Sequence, residues 1–195
     1  MSALAAGFAD PVHDAQRAFR AVLAALARPG RRAALPAGAG LPLPPALAQC
    51  LLALADEDTA VWWDGHAQAR AEWLRFHTGA PRAALPAAAR FAAIEHAHAM
   101  PALAAFEPGS AQFPERSATL LIELPSFDAG PALEWRGPGI RDVHAVAVAG
   151  LPADFWSQWQ ANHAAFPQGL DVIFTCNEQL IGLPRSTRVR RLERL

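Results

Sequence analysis

The stretch that decides the fold is FPQGLDVIFTCNEQLIGLPRST, residues 166–187. Two apolar runs, 170–176 and 180–183, flank a polar turn at Asn177-Glu178-Gln179, which predicts a β-hairpin. Leu170, Val172, Phe174 and Cys176 share one face by the two-residue period of a strand, and Asp171, Ile173 and Thr175 take the other. Apolar residues on both faces describe a strand covered on both sides. Helices before, between and after such strands predict an α/β three-layer sandwich, with a mixed sheet and helices on both faces.

Working outward, Asp10-Pro11 opens the first helix with an N-cap carboxylate and a proline at the first helical position, and Arg28-Pro29-Gly30 ends it. Val12, Ala15, Phe19, Val22, Leu23 and Leu26 fall in one stripe about 100° wide, the expected inward face. His13, Arg17, Arg20 and Arg28 lie on the other side. Residues 31–45, broken by Pro and Gly, read as a loop before a helix over 46–55 with Leu47, Cys50, Leu51 and Leu54 inward. Strands are predicted over 59–63, 119–124, 132–135 and 143–148, and helices over 67–76 and 152–164. The last helix carries Phe155, Trp156, Trp159 and His163 on one side, a packing set first and an interface second. Between Pro81 and Pro114 the Ala-rich, Pro-interrupted sequence has no stable period and predicts short irregular elements. No repeat or domain-sized linker divides the chain, so 1–195 reads as a single domain.

Composition excludes several chemistries. All 17 basic side chains are Arg, so a Schiff base to pyridoxal phosphate, a P-loop lysine and a kinase-type lysine are impossible. A formal net charge of −1 argues against a general binder of nucleic acid. Only the tail, Arg185 to Arg194, is locally basic, and it reads as a solvated strand edge or a partner-facing surface. Cys50 and Cys176 make no disulfide framework, the first residues lack the pattern of a signal peptide, and no apolar run reaches the roughly 18 residues of a membrane span. A cytoplasmic protein is expected.

Five stretches could carry chemistry. Cys176, with His77 or His163 as base, is one; without a helix N-terminus or cation to lower its pKa, a buried apolar thiol is the better reading. His96-Ala97-His98 beside Glu95 is a second, but a metal site needs further ligands and none stands nearby. Arg75-Phe76-His77-Thr78-Gly79 could hold a phosphonate or phosphate oxygen, or could simply satisfy the last carbonyls of a helix. Gly137-Pro138-Gly139-Ile140, flanked by Arg136 and Arg141, could form an anion nest or a plain turn. Finally, Asp171 on a covered strand needs a partner such as a nearby Arg, and Arg185 with Thr187 emerges where the chain leaves the sheet and could meet a ligand or partner.

Taken together and in order, several stretches resemble one family. They are Phe8-Ala9-Asp10-Pro11-Val12-His13-Asp14-Ala15-Gln16 with Phe19-Arg20, Leu52-Ala53-Leu54-Ala55-Asp56 with Asp58-Thr59 and Val61-Trp62, and Leu74-Arg75-Phe76-His77-Thr78 with Ala80-Pro81. Gly137-Pro138-Gly139-Ile140, Phe166-Pro167, Gly169, Asp171, Thr175-Cys176, Pro184-Arg185 and Thr187 complete the set. The chain resembles the PhnH family, subunits of the bacterial carbon-phosphorus lyase system for phosphonate use. That resemblance implies a fold like the large domain of pyridoxal-phosphate-dependent transferases, a homodimer, no cofactor, and a cytoplasmic complex with G, I and J type subunits. It implies support for the joining of ATP and methylphosphonate into α-D-ribose 1-methylphosphonate 5-triphosphate, without chemistry assigned to this subunit. The competing expectation is a phosphonate- or nucleotide-binding enzyme acting alone through Arg75, His77 and Arg185; a thiol or metal hydrolase is the third. The His96-Ala97-His98 pair departs from the family pattern, which weakens the metal reading further.

Overall fold

Two separate cores account for the apolar residues on both faces of the hairpin. The computed structural model describes residues 5–38, 40–65 and 67–192. The hairpin strands are β7 (Asp171–Cys176) and β8 (Gln179–Leu183), paired antiparallel with Cys176 opposite Gln179. The turn is therefore Asn177-Glu178, one residue shorter than the expected turn. Asn177 takes the left-handed region at φ 53°, which asparagine tolerates better than most residues. The hairpin lies in a six-stranded sheet of order β1-β8-β7-β4-β3-β2, with β1 (Arg32–Ala34), β2 (Val61–Trp63), β3 (Phe91–Ile94) and β4 (Thr119–Glu123). Strands β2, β3, β4 and β7 pair in parallel, β8 pairs antiparallel with β7, and β1 pairs antiparallel with β8, so β8 alone runs against the other five.

One face of this sheet, through Ala93, Leu121, Ile173 and Leu180, meets α1 (Pro11–Ala27), α2 (Pro45–Leu54) and α3 (Gln68–Thr78). The other, through Leu120, Ile122, Val172, Phe174, Ile181 and Leu183, is covered by α4 (Phe155–Ala164) and by a three-stranded antiparallel sheet of order β6-β5-β9. That smaller sheet consists of β5 (Ala132–Arg136), β6 (His144–Ala147) and β9 (Arg188–Arg191). The three layers are thus helices, mixed sheet, and a small sheet with one helix. Helices lie on both faces, as expected, but on the second face α4 shares the covering with the small sheet and with the 3-10 turns around Ala97 and Leu103, which the expectation did not include. Phe155 and Trp159 are buried in the second core, as the packing reading of α4 expects.

The chain steps from β2 to β3 through α3 on the first face, and from β3 to β4 through short 3-10 turns on the second. Two parallel crossovers that move the same way on opposite faces have opposite hands, so one departs from the usual right-handed rule.

The inward face of α1 overlaps the predicted one only in part: Val22 is buried and Leu26 packs against the first core, but the face is rotated toward the alanines. Ala18, Val22 and Ala25 are buried, whereas Val12, Phe19 and Leu23 are 74%, 50% and 56% exposed. The apolar arc of the helix spans about 200° by wheel geometry, and its alanine-rich half packs inward because that half permits the closest approach. Gly182 of β8 lies directly beneath it: a Cβ there would sit 2.6 Å from the Ala25 carbonyl carbon and oxygen. Two strands were not foreseen: β1 fell in the predicted loop and β3 in the alanine-rich region. β9 lies in the basic tail, one of whose two readings was a solvated strand edge, and Arg194 of that tail lies outside the described residues.

Gly182→Ala is expected to destabilise the fold by about 1–3 kcal/mol, the scale of overpacking where backbone must move. Urea unfolding checks this; a midpoint equal to the parent's would show that α1 has room to lift.

Candidate functional site

Five of the eight residues singled out in the sequence form a seam at the end of the sheet where the parallel strands begin. Asp171 opens β7, and Arg185 follows β8. The backbone N–H of Arg185 donates to Asp171 Oδ1 at 2.8 Å, Nε donates to both carboxylate oxygens at 3.2 Å, and Nη2 donates to Oδ2. Nη1 reaches the carbonyls of Pro114 (2.9 Å) and Pro167 (3.3 Å), and Nη2 also meets Ser117 Oγ. A guanidinium has five N–H donors, so none is left for an outside anion without surrendering an inside partner. Asp171 has found the arginine its position demanded. Thr187 is fully buried, its backbone 3.3 Å from where a Cβ on Gly137 would stand. Gly139, at φ 81°, presses against the Ala27 carbonyl at the end of α1. Both glycines therefore serve close backbone approach.

Arg75, His77 and Thr78 stand apart, on the last turn of α3. Thr78 Oγ1 donates to the Leu74 carbonyl at 2.9 Å and accepts from Ala80 N–H, while Gly79 ends the helix in the left-handed conformation. His77 Nε2 donates to the Ala5 carbonyl at 3.2 Å and stacks edge-on against Phe76 and Trp73. Arg75 is exposed and makes no side-chain hydrogen bond or ion pair among the described residues. Thr78 and Gly79 thus do the carbonyl-satisfying work of a helix end, and Arg75 remains available to an outside group.

The thiols are poorly placed for nucleophilic catalysis. Burial pushes Cys50 up to about 12. Cys176 is also raised, first by burial and then by the carboxylate of Glu123. His163 donates from Nδ1 to the Arg185 carbonyl at the opposite end of β7, and His77 is tied to Ala5, so neither serves Cys176 as a base.

Sequence reasoning weighed Glu95, His96 and His98 only as metal ligands and missed the cleft of about 410 Å³ where the parallel strands end, which joins them and Ala97 to Glu123 and Asn177, among others. Glu95 and Glu123 close β3 and β4, and Asp64 follows β2. Asp64 Oδ2 accepts from the backbone N–H of Glu95 and His96 and lies 3.0 Å from His96 Nδ1. Arg70 Nη1 lies 2.7 Å from Glu95 Oε1, out of line for a hydrogen bond. Glu123 accepts from Thr175 Oγ1 and from Asn177 N–H at 2.9 Å. Burial raises the pKa of Glu95, with Asp64 adding to it and Arg70 opposing; burial likewise raises Glu123 against its two hydrogen bonds. Such a site suits hydroxyl or amine donors and repels phosphate oxygens. Among the described residues no group of three or more His, Cys, Asp or Glu is arranged to hold a metal ion. The signal that could have found it was the strand ends, and β3 was unreadable.

Two outcomes are expected. Arg185→Ala should cost about 3 kcal/mol of stability, because it strands a largely buried carboxylate; a parent-like urea midpoint would show the seam to be dispensable. Glu95 and Glu123 bind protons more tightly in the folded chain than at the ordinary value of 4.5. Their stabilisation is complete below that value and lost as pH rises through the folded-state values. Glu95→Gln, which cannot ionise, should therefore lose less stability than the parent between about pH 4 and 8; equal losses would show that Glu95 is not desolvated.

The chain matches the family model described as "Bacterial phosphonate metabolism protein (PhnH)" over residues 6–190. It is 38% identical over 188 residues to the α-D-ribose 1-methylphosphonate 5-triphosphate synthase subunit PhnH of Rhizobium meliloti (strain 1021), covering 94% of each chain. It is 31% identical over 174 residues to the putative C-P lyase subunit protein HtxG of Stutzerimonas stutzeri, covering 89% of this chain and 85% of that one. A match that runs from before α1 to the last strand takes in both cores, the Arg185 seam and the carboxylate cleft, and this chain belongs to the PhnH family.

Proposed function

We propose that this chain is a subunit of a carbon-phosphorus lyase assembly in phosphonate catabolism. It supports formation of α-D-ribose 1-methylphosphonate 5-triphosphate from ATP and methylphosphonate, and it assists rather than catalyses. The observation that carries this reading is the match along 94% of both chains to a protein named as a subunit of that synthase. The chemistry agrees: the thiols are held protonated, and the Arg185 fork is spent inside the fold. In this reading the partners are G, I and J type subunits in the cytoplasm, and the chain pairs with a second copy of itself. The large domain of pyridoxal-phosphate-dependent transferases is the architectural relative, and with no lysine in the chain there is nothing to form an aldimine with that cofactor. Arg75 with His77, exposed at the end of α3, is the surface pair best suited to hold an anion or a partner carboxylate. The exposed Val12, Phe19 and Leu23 on α1 support an assembled state, since large apolar side chains in one stripe are costly to leave in water.

Co-expressed with G, I and J type subunits, the chain is expected to co-purify with them and to release no adenine from ATP and methylphosphonate by itself. Phe19→Asp should weaken its retention about tenfold or more without changing its circular dichroism. Adenine release by the isolated chain above a boiled control, or failure of the parent to co-purify, would overturn the reading.

A further inference from the structure

The basic tail becomes β9, an edge strand of the smaller sheet. Its register against β5 places Arg188 opposite Arg136, Val189 opposite Trp135, Arg190 opposite Glu134 and Arg191 opposite Leu133. One residue further on, Leu192 N–H donates to the Ala132 carbonyl at 2.9 Å. In an antiparallel pair, hydrogen-bonded and non-bonded positions alternate. Arg190 and Arg188 therefore share the bonded phase of Leu192, and Val189 and Arg191 turn their backbone N–H and C=O away from β5. Thr187 has the same outward phase, and there α4 closes the edge, because Trp159 Nε1 donates to the Thr187 carbonyl at 3.0 Å. Past that point no hydrogen bond among the described residues reaches the outward groups of Val189 or Arg191.

The side chains say what this open edge fits. Val189 is buried against Trp135, so by alternation Arg188 and Arg190 lie on the opposite, solvent-facing side, and both are exposed. Arg188 and Arg136 are like charges directly opposite each other, an arrangement that destabilises a strand pair. Arg136 has only a 3.9 Å contact with Glu134, and Arg188, Arg190 and Arg191 make no ion pair among the described residues. An edge with outward backbone groups, flanked by Arg136, Arg188 and Arg190 against the single carboxylate of Glu134, carries an excess of positive charge that an acidic extended segment balances.

We propose that β9 is a docking edge for an extended, acidic segment of a partner polypeptide, which adds as a further strand to the smaller sheet beside Val189 and Arg191. Its carboxylates face Arg188, Arg190 and Arg136, and its backbone pairs with the outward groups. This rests on the reading of the chain as a subunit of an assembly, but concerns a different surface from the α1 stripe.

The test uses the full chain purified within the co-expressed assembly and, separately, alone. Amide hydrogen exchange at Val189 and Arg191 should slow about tenfold or more in the assembly relative to the isolated chain. Arg188→Glu with Arg190→Glu should leave the isolated chain folded, yet make the assembly release it at lower salt and at least about tenfold more readily. Arg191→Pro removes one outward N–H without breaking the ladder to β5, so it should release more readily than Arg191→Ala. Unchanged exchange together with parent-like assembly of these variants overturns the docking edge while leaving the subunit reading intact. A parent chain that joins no assembly removes both. If the paired charge reversal weakens binding to a random DNA duplex but leaves assembly and exchange unchanged, the arginines serve a polynucleotide and the proposal is wrong.

Discussion

The guanidinium of Arg185 is the constraint on which the lower end of the sheet depends. It ties the first residue of β7 to the loop before β4, through Pro114 and Ser117, and to the turn before β7, through Pro167. Pro114 and Ser117 are distant from β7 in sequence and come beside it because β4 and β7 are neighbours in the sheet. A single planar fork meets them because it offers five donors in fixed directions, which an ammonium could not do. Closing this end with internal partners leaves the opposite end as the place where a parallel sheet can meet a ligand, and there the strands finish in carboxylates.

A second constraint is the sheet's need for two covers. Alternation in β7 sends Val172 and Phe174 to one core and Ile173 to the other, so neither cover can be removed without exposing half the strand. On the helical side the cover must come very close. Gly182 and the alanines of α1 allow that closeness, and the larger apolar residues of the same helix are thereby left facing water. The exposed stripe and the tight crossing are one fact: a helix with a wide apolar arc can turn only part of it inward.

The hairpin was legible because its strands alternate between two apolar faces within one uninterrupted run. The helix at 45–54 and the strand at 119–123 were legible for similar reasons, bounded by Pro and charge. β3 was not, since Phe91-Ala92-Ala93-Ile94 is buried on both faces and carries no period to read. β1 and β9 exist through pairing with partners far along the chain, a tertiary effect that local propensity cannot announce. The same limit hid the cleft. Asp64, Glu95 and Glu123 are about thirty residues apart in sequence, and only the order β4-β3-β2 gathers them. The Asp171–Arg185 pair was half legible: burial of the carboxylate required a partner, but nothing local showed that the whole fork would be used.

Net charge explains why the surface was harder to read than the core. A sum of −1 rules out a strong overall field, and with it a general polyanion binder. It says nothing about local separation of charge, which the fold produces on a large scale. Carboxylates collect where the parallel strands end, while arginines collect along β9, and screening over roughly 8–10 Å at physiological salt lets such patches act independently. A chain of this kind can present an acidic face to one neighbour and a basic edge to another. Near-neutrality is then the sum of two patches of opposite sign, each short enough in range to act on its own neighbourhood.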